Sequence, residues 1–116
     1  MAAGNNKEKV MKIKLSPQGR ATPLVVKVSG DVITLNDEAF DFSPLQEGET
    51  LPADATGCDW FASPIERIDG VIHLTIILPH GNNAPHETRF PEYFDKYMEA
   101  DGEVVLPPYG EEVVYD

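Results

Sequence analysis

The chain has 116 residues, of which 41% are hydrophobic, and a formal net charge of −11. This length and composition are typical of a single domain with its own core, and they exclude a mostly disordered chain. The acidic balance argues against direct nucleic-acid binding, because phosphates would repel the protein. No run approaches the roughly 20 apolar residues of a membrane span, and the single Cys58 excludes an internal disulfide. We therefore expect one soluble cytosolic domain with no membrane contact.

The charge is unevenly distributed along the chain. Residues 1–30 carry six Lys or Arg and one Glu, a net +5, whereas residues 31–116 carry three Lys or Arg and nineteen acids, a net −16. The acids either lie on solvated turns and strand faces, or form a surface that meets a basic partner or imitates nucleic acid. We divide the chain into a flexible leader at residues 1–10, one β-rich domain at residues 11–108 and an acidic C-terminal tail at residues 109–116.

The first predicted strand begins at Met11. Apolar Met11, Ile13 and Leu15 alternate with Lys12 and Lys14, which is the period of a half-buried strand. The alternation predicts that both lysines lie on the solvent face.

Residues 24–42 predict a three-stranded antiparallel meander. Its two turns are Gly30-Asp31 and Asn36-Asp37, pairs that favour tight hairpins. Both turns place apolar residues on one face, and the expected neighbours are Val26 with Leu35, Val28 with Ile33, and Ile33 with Phe40, with Phe42 on the same face. A slip by one residue would turn this face to solvent, so we expect a firm register.

A long connection and a second hairpin follow the meander. Residues 43–63 have few periodic apolar residues, and we expect one helical turn near residues 52–56 and an anchor to the core at Trp60-Phe61. Asp69-Gly70 then lies between two alternating segments, which is a strong hairpin signal. This hairpin places Glu66 opposite His73, and its apolar face consists of Ile65, Ile72, Leu74, Ile76 and Leu78.

Two interpretations remain for residues 91–100. Apolar residues recur there at helical spacing, and Pro91 suits the first turn of a helix. Asp101-Gly102 favours instead a hairpin turn, which would pair Met98 with Val105 and Tyr97 with Leu106. The predicted fold is therefore mainly β, with an antiparallel meander and hairpins forming a small sandwich or barrel-like single domain, and at most one short helix, for which residues 91–100 are the candidate.

No residue pattern predicts catalysis. Cys58 lies alone in a loop, no serine lies in a nucleophile motif, and no phosphate-binding glycine pattern occurs. His80 and His86 share a loop with Glu87, but their spacing matches no standard metal-ligand pattern. We expect no enzyme activity, no metal and no cofactor. The alternative is a small enzyme or ligand-binding module that uses the loop from His80 to His86.

Four aromatic residues near the C-terminal end allow two interpretations. They either pack in the core, which we favour, or form a binding stripe on the surface. The four are Phe90, Tyr93, Phe94 and Tyr97.

Three strings of the sequence are distinctive: DFSPL at 41–45, ERIDG at 66–70 and LPHG at 78–81. With them, residues 11–108 resemble small proteins that tailed bacteriophages and prophages encode among or beside their tail-structural genes. In those proteins the segment after the Phe90-Pro91 equivalent is more strand-like than it is here. The strings carry no known chemistry, so the resemblance assigns no catalytic role to any residue.

The resemblance implies a non-enzymatic phage or prophage protein that binds other proteins, most simply a tail-associated structural or assembly accessory. Its partner would be a phage structural or tail protein, or a second copy of the chain, in the host cytoplasm or the virion. An acidic phage-encoded inhibitor or nucleic-acid-mimic decoy of a host protein is the alternative. The candidate binding residues are two lysines of the first strand and three residues of a tail that would add to a strand edge, namely Lys12, Lys14, Val113, Val114 and Tyr115.

Overall fold

The computed structural model describes residues 10–110, which form a small β sandwich of two sheets, as the sequence predicts. The predicted leader, apart from Val10, and residues 111–116 of the predicted tail lie outside the described part. The strands are β1 (Met11–Gly19), β2 (Val26–Ser29), β3 (Val32–Leu35), β4 (Glu38–Asp41), β5 (Thr50–Leu51), β6 (Ile65–Ile68), β7 (Val71–His80), β8 (Met98–Ala100) and β9 (Gly102–Val104). The helical elements are a four-residue helix, α1 (His86–Arg89), and two 3-10 turns, Ala53–Thr56 and Glu92–Phe94.

One sheet has five strands in the order β5-β6-β7-β1-β8, and the other has four in the order β4-β3-β2-β9. The central pair, β1 and β7, runs parallel, with Ile13 opposite Leu74 and Leu15 opposite Ile76. The sequence predicts only antiparallel neighbours, so this parallel pair corrects the prediction. Parallel strands need a long crossover, and here the crossover from β1 to β7 contains the whole meander, the long connection and β6.

The predicted meander is confirmed, and its turns explain the register. Asn36 and Asp37 both have positive φ, 50° and 72°, as a two-residue type I′ hairpin requires. The Asn36 side chain also accepts a hydrogen bond from the Val25 N–H at 2.8 Å, which fixes the strand entering the meander. The predicted neighbours occur as Val26–Leu35, Val28–Ile33 and Ile33–Phe40.

The second hairpin is also confirmed. Asp69 and Gly70 have φ values of 52° and 80°, and Glu66 lies opposite His73. The long connection contains the expected helical turn, at Ala53–Thr56, and Phe61 is buried and bridges to Ile76.

The hairpin predicted at Asp101-Gly102 is wrong. β8 pairs with β1, where Ala100 lies opposite Met11, whereas β9 pairs with β2, where Val104 lies opposite Val26. The chain therefore passes from the edge of one sheet to the edge of the other. Gly102, with a φ of 74°, allows the bend.

Residues 91–100 form neither a continuous helix nor a continuous strand. α1 precedes this segment, a 3-10 turn occupies Glu92–Phe94, and only Met98–Ala100 is a strand. Pro91 has an extended backbone, with φ −72° and ψ 152°, so it separates α1 from the 3-10 turn. The helical spacing of the aromatic residues is misleading, because the backbone leaves helical geometry at Tyr93 (φ −96°, ψ 31°) and Met98–Ala100 pair with β1 instead.

Arg67 on β6 connects the two sheets at the side away from β8 and β9. Its guanidinium forms an ion pair with Asp31 at 3.0 Å, and both side chains are about nine-tenths buried. It also donates to the carbonyl oxygens of Phe42, Leu45 and Gly70. One side chain thus joins the meander, the long connection and the second hairpin.

Candidate functional site

Two phenylalanines beside α1 point into solvent. Phe90 is 68% exposed and Phe94 is 61% exposed, whereas Tyr93, between them, packs against the core. Tyr97 lies over the outer face of the five-stranded sheet, with its ring centroid 4.9 Å from that of His73. The favoured expectation that all four aromatic residues pack in the core is therefore wrong for Phe90, Phe94 and Tyr97, whereas Tyr93 does pack against the core.

The local fold explains this exposure. Thr88 is fully buried and its hydroxyl donates to the Pro108 carbonyl, and Pro91 is also buried. These two residues attach the segment to the domain and leave Phe90 on its outer side, where its ring lies 4.8 Å from that of His86. Phe90 and Phe94 border a shallow depression with Arg89, Pro91 and Asp95, and we call these five residues the aromatic patch.

A larger cleft of about 690 Å³ adjoins the aromatic patch and shares Pro91 with it. Its apolar surface comes from Leu15, Pro91, Tyr93, Met98, Ala100, Val104, Val105, Leu106, Pro107 and Pro108. Its remaining residues are all acids, namely Glu87, Glu92, Glu99, Asp101 and Glu103. We call this feature the acidic cleft; neither lysine nor arginine is among the residues that line it.

The acidic cleft is not among the predictions made from the sequence, although the sequence contains a signal for it. Glu99, Asp101 and Glu103 occur at every second position, and such spacing along an extended chain places side chains on one side. All three acids line the cleft where the chain passes from β8 to β9.

His80, His86 and Cys58 each have local contacts, in separate parts of the fold. His80 Nδ1 lies 3.1 Å from the carbonyl oxygen of its neighbour Gly81, and the His86 ring packs on Phe90. In the part of the chain that the structure describes, no three His, Cys, Asp or Glu side chains come together as metal ligands. Burial raises the pKa of the Cys58 thiol, which disfavours the reactive thiolate.

The lysines proposed for partner binding already have contacts within the domain. Lys12 Nζ lies 2.8 Å from a Glu99 carboxylate oxygen, and this bond lowers the pKa of Glu99. Lys14 Nζ lies 4.6 Å from the centroid of the Tyr97 ring. At Lys12, β1 pairs with β7 on one side and β8 on the other, so a tail could add there only by displacing β8.

The other proposed binding residues, Val113, Val114 and Tyr115, lie outside the described residues. Tyr109, the first residue of the predicted tail, contacts the domain: its hydroxyl donates to the Arg20 carbonyl, and its own carbonyl accepts from the Gly81 N–H at 2.8 Å. Within residues 10–110, no helix has the length and apolar character needed to cross a membrane.

Comparisons of the chain with models of protein families, with curated proteins and with solved structures gave no match.

Proposed function

We propose that this protein acts by binding another protein through the aromatic patch. The observation that carries the proposal is the exposure of Phe90 and Phe94, four residues apart on a segment held in place by buried Thr88 and Pro91. Aromatic side chains on a firmly held backbone are typical anchors of protein interfaces, because they remove a large apolar area from water when a partner covers them.

The resemblance to tail-neighbourhood phage proteins suggests the setting. The partner is a phage structural or tail protein, and the protein serves as a tail-associated structural or assembly accessory in the host cytoplasm or the virion. A non-enzymatic role agrees with the contacts of His80, His86 and Cys58, none of which joins a nucleophile to a base.

An acidic decoy of nucleic acid is the second candidate, and the five acids of the acidic cleft favour it. Those acids line the cleft together with apolar residues, whereas a nucleic-acid mimic needs charges that replace a phosphate backbone. The exposed phenylalanines also have no role in such mimicry, so we place protein binding first.

The test compares partner capture by tagged wild-type protein, Phe94→Asp and Val25→Asp in cells that produce the encoding phage. Val25 is the matched control, because it is also apolar and 61% exposed but lies on the segment before β2. We expect a tail protein captured by the wild type to be retained by Val25→Asp and depleted at least ten-fold by Phe94→Asp, as quantified by mass spectrometry. Equal capture by the two variants would reject the aromatic patch as the binding surface.

A further inference from the structure

We propose that the acidic cleft receives a lysine- or arginine-bearing apolar segment of the partner protein. This inference rests on the proposed function, since the acidic cleft and the aromatic patch share Pro91 and can be covered by one partner. It adds the chemistry of the partner: a peptide segment with positive charges beside aliphatic side chains.

The apolar surface of the acidic cleft supports an apolar component in the ligand. Val105 is 91% exposed, the highest value among the exposed large hydrophobic residues of the described chain, and Met98, Val104 and Leu106 are only partly buried. The cleft volume of about 690 Å³ lies within the range of pockets that enclose several side chains. Binding of a partner that covers these apolar groups is favourable in free energy, because their surface is removed from water.

The negative charges of the acidic cleft support a cationic component in the ligand. Glu92 and Glu99 pair with Lys96 and Lys12, at 3.0 and 2.8 Å, and neither lysine lines the cleft. The other three acids, Glu87, Asp101 and Glu103, form no ion pair with any residue between 10 and 110, although Lys27 lies opposite Glu103 in the β2–β9 register.

Glu87, Asp101 and Glu103 line the cleft without an ion pair inside the described chain, so they attract a positively charged ligand. Charge complementarity of this kind selects partners and accelerates their association. It also excludes nucleic acid as the occupant, because phosphates would be repelled. An extended basic segment fits better than a free polyamine, since a polyamine leaves the aliphatic surface at Val105 and Leu106 without an apolar contact.

The test is a selection of random 12-residue peptides, displayed as a library, on immobilised wild-type protein. We expect the selected peptides to be enriched in Lys or Arg next to aliphatic residues relative to the library. Their affinity should fall at least ten-fold for the double variant Asp101→Lys/Glu103→Lys. It should change less than three-fold for Glu38→Lys/Asp54→Lys, a control with the same change in net charge at exposed positions outside the cleft. Equal urea midpoints for the two double variants would show that both are folded.

Several results would overturn the inference: no selected peptides, peptides without basic enrichment, or equal loss of affinity in the two double variants. If tail-protein capture still depends on Phe94 in that case, the proposed function stands and only the chemistry of the acidic cleft is wrong. If basic peptides bind the acidic cleft while capture is indifferent to Phe94, the proposed function fails and the cleft remains a binding site for basic segments.

Discussion

Replacing Arg67 with alanine should destabilise this protein more than the change of any exposed residue. The substitution removes an ion pair with Asp31 in which the two side chains are only 10% and 8% exposed, and hydrogen bonds to three carbonyl groups. Removing one partner of a buried ion pair costs about 3–5 kcal/mol, because the remaining charge is left without compensation. That cost is comparable to the lower end of the stability of small domains, about 5 kcal/mol.

Urea unfolding monitored by Trp60 fluorescence measures this loss. Arg67→Lys should recover little stability, since an ammonium group cannot donate in several fixed directions as the guanidinium does. Arg89→Ala, which removes an exposed arginine with one hydrogen bond, is the control and should cost less than about 1 kcal/mol. A loss of under about 1 kcal/mol for Arg67→Ala would refute the conclusion that this side chain holds the two sheets together.

Three further predictions concern local chemistry. Gly70→Val should destabilise the protein by about 1–3 kcal/mol in the same urea assay, because φ at Gly70 is 80° and a β-branched residue resists that conformation; no change would show that the turn adapts. Hydrogen bonds from Ser43 hold the pKa of Asp41 below its usual value, so the stabilisation by this carboxylate is present at neutral pH and is lost as the pH falls below about 4. The difference in urea midpoint between wild type and Asp41→Asn should accordingly shrink from pH 7 to pH 3, and a constant difference would contradict the assignment. Since burial raises the pKa of Cys58, its rate of alkylation by iodoacetamide should reach half its maximum at a higher pH than that of free cysteine, and a lower pH would contradict the buried placement.

The sequence predicted the parts of the fold that depend on neighbouring residues. Asn36-Asp37 and Asp69-Gly70 specify tight turns through their tolerance of positive φ, and the alternation of apolar residues then sets the register of the flanking strands. The parallel β1–β7 pair and the change of sheet at Asp101 were not predictable in this way. Both depend on how distant segments compete for the same strand edges, which local periodicity does not encode.

The candidate site was predictable only in part. The four aromatic residues were recognised as a group, but hydrophobicity alone favours burial for each and does not indicate which of them remain exposed. Phe90 and Phe94 remain exposed because Thr88 and Pro91 are the buried residues that attach this segment to the domain. Likewise, the charge of the C-terminal part was evident, whereas the grouping of Glu87 with Asp101 and Glu103 required the folded chain.

Site-specific photo-crosslinking tests the central claim, that the aromatic patch binds a partner protein, most directly. A benzophenone-bearing amino acid replaces Phe94 in one variant and the equally exposed Val25 in another, and each is irradiated in bacterial cells that produce the proposed phage partner. We predict that position 94 gives a cross-link to one phage tail protein and that position 25 does not. No protein adduct at position 94, or the same adducts at both positions, would contradict the claim.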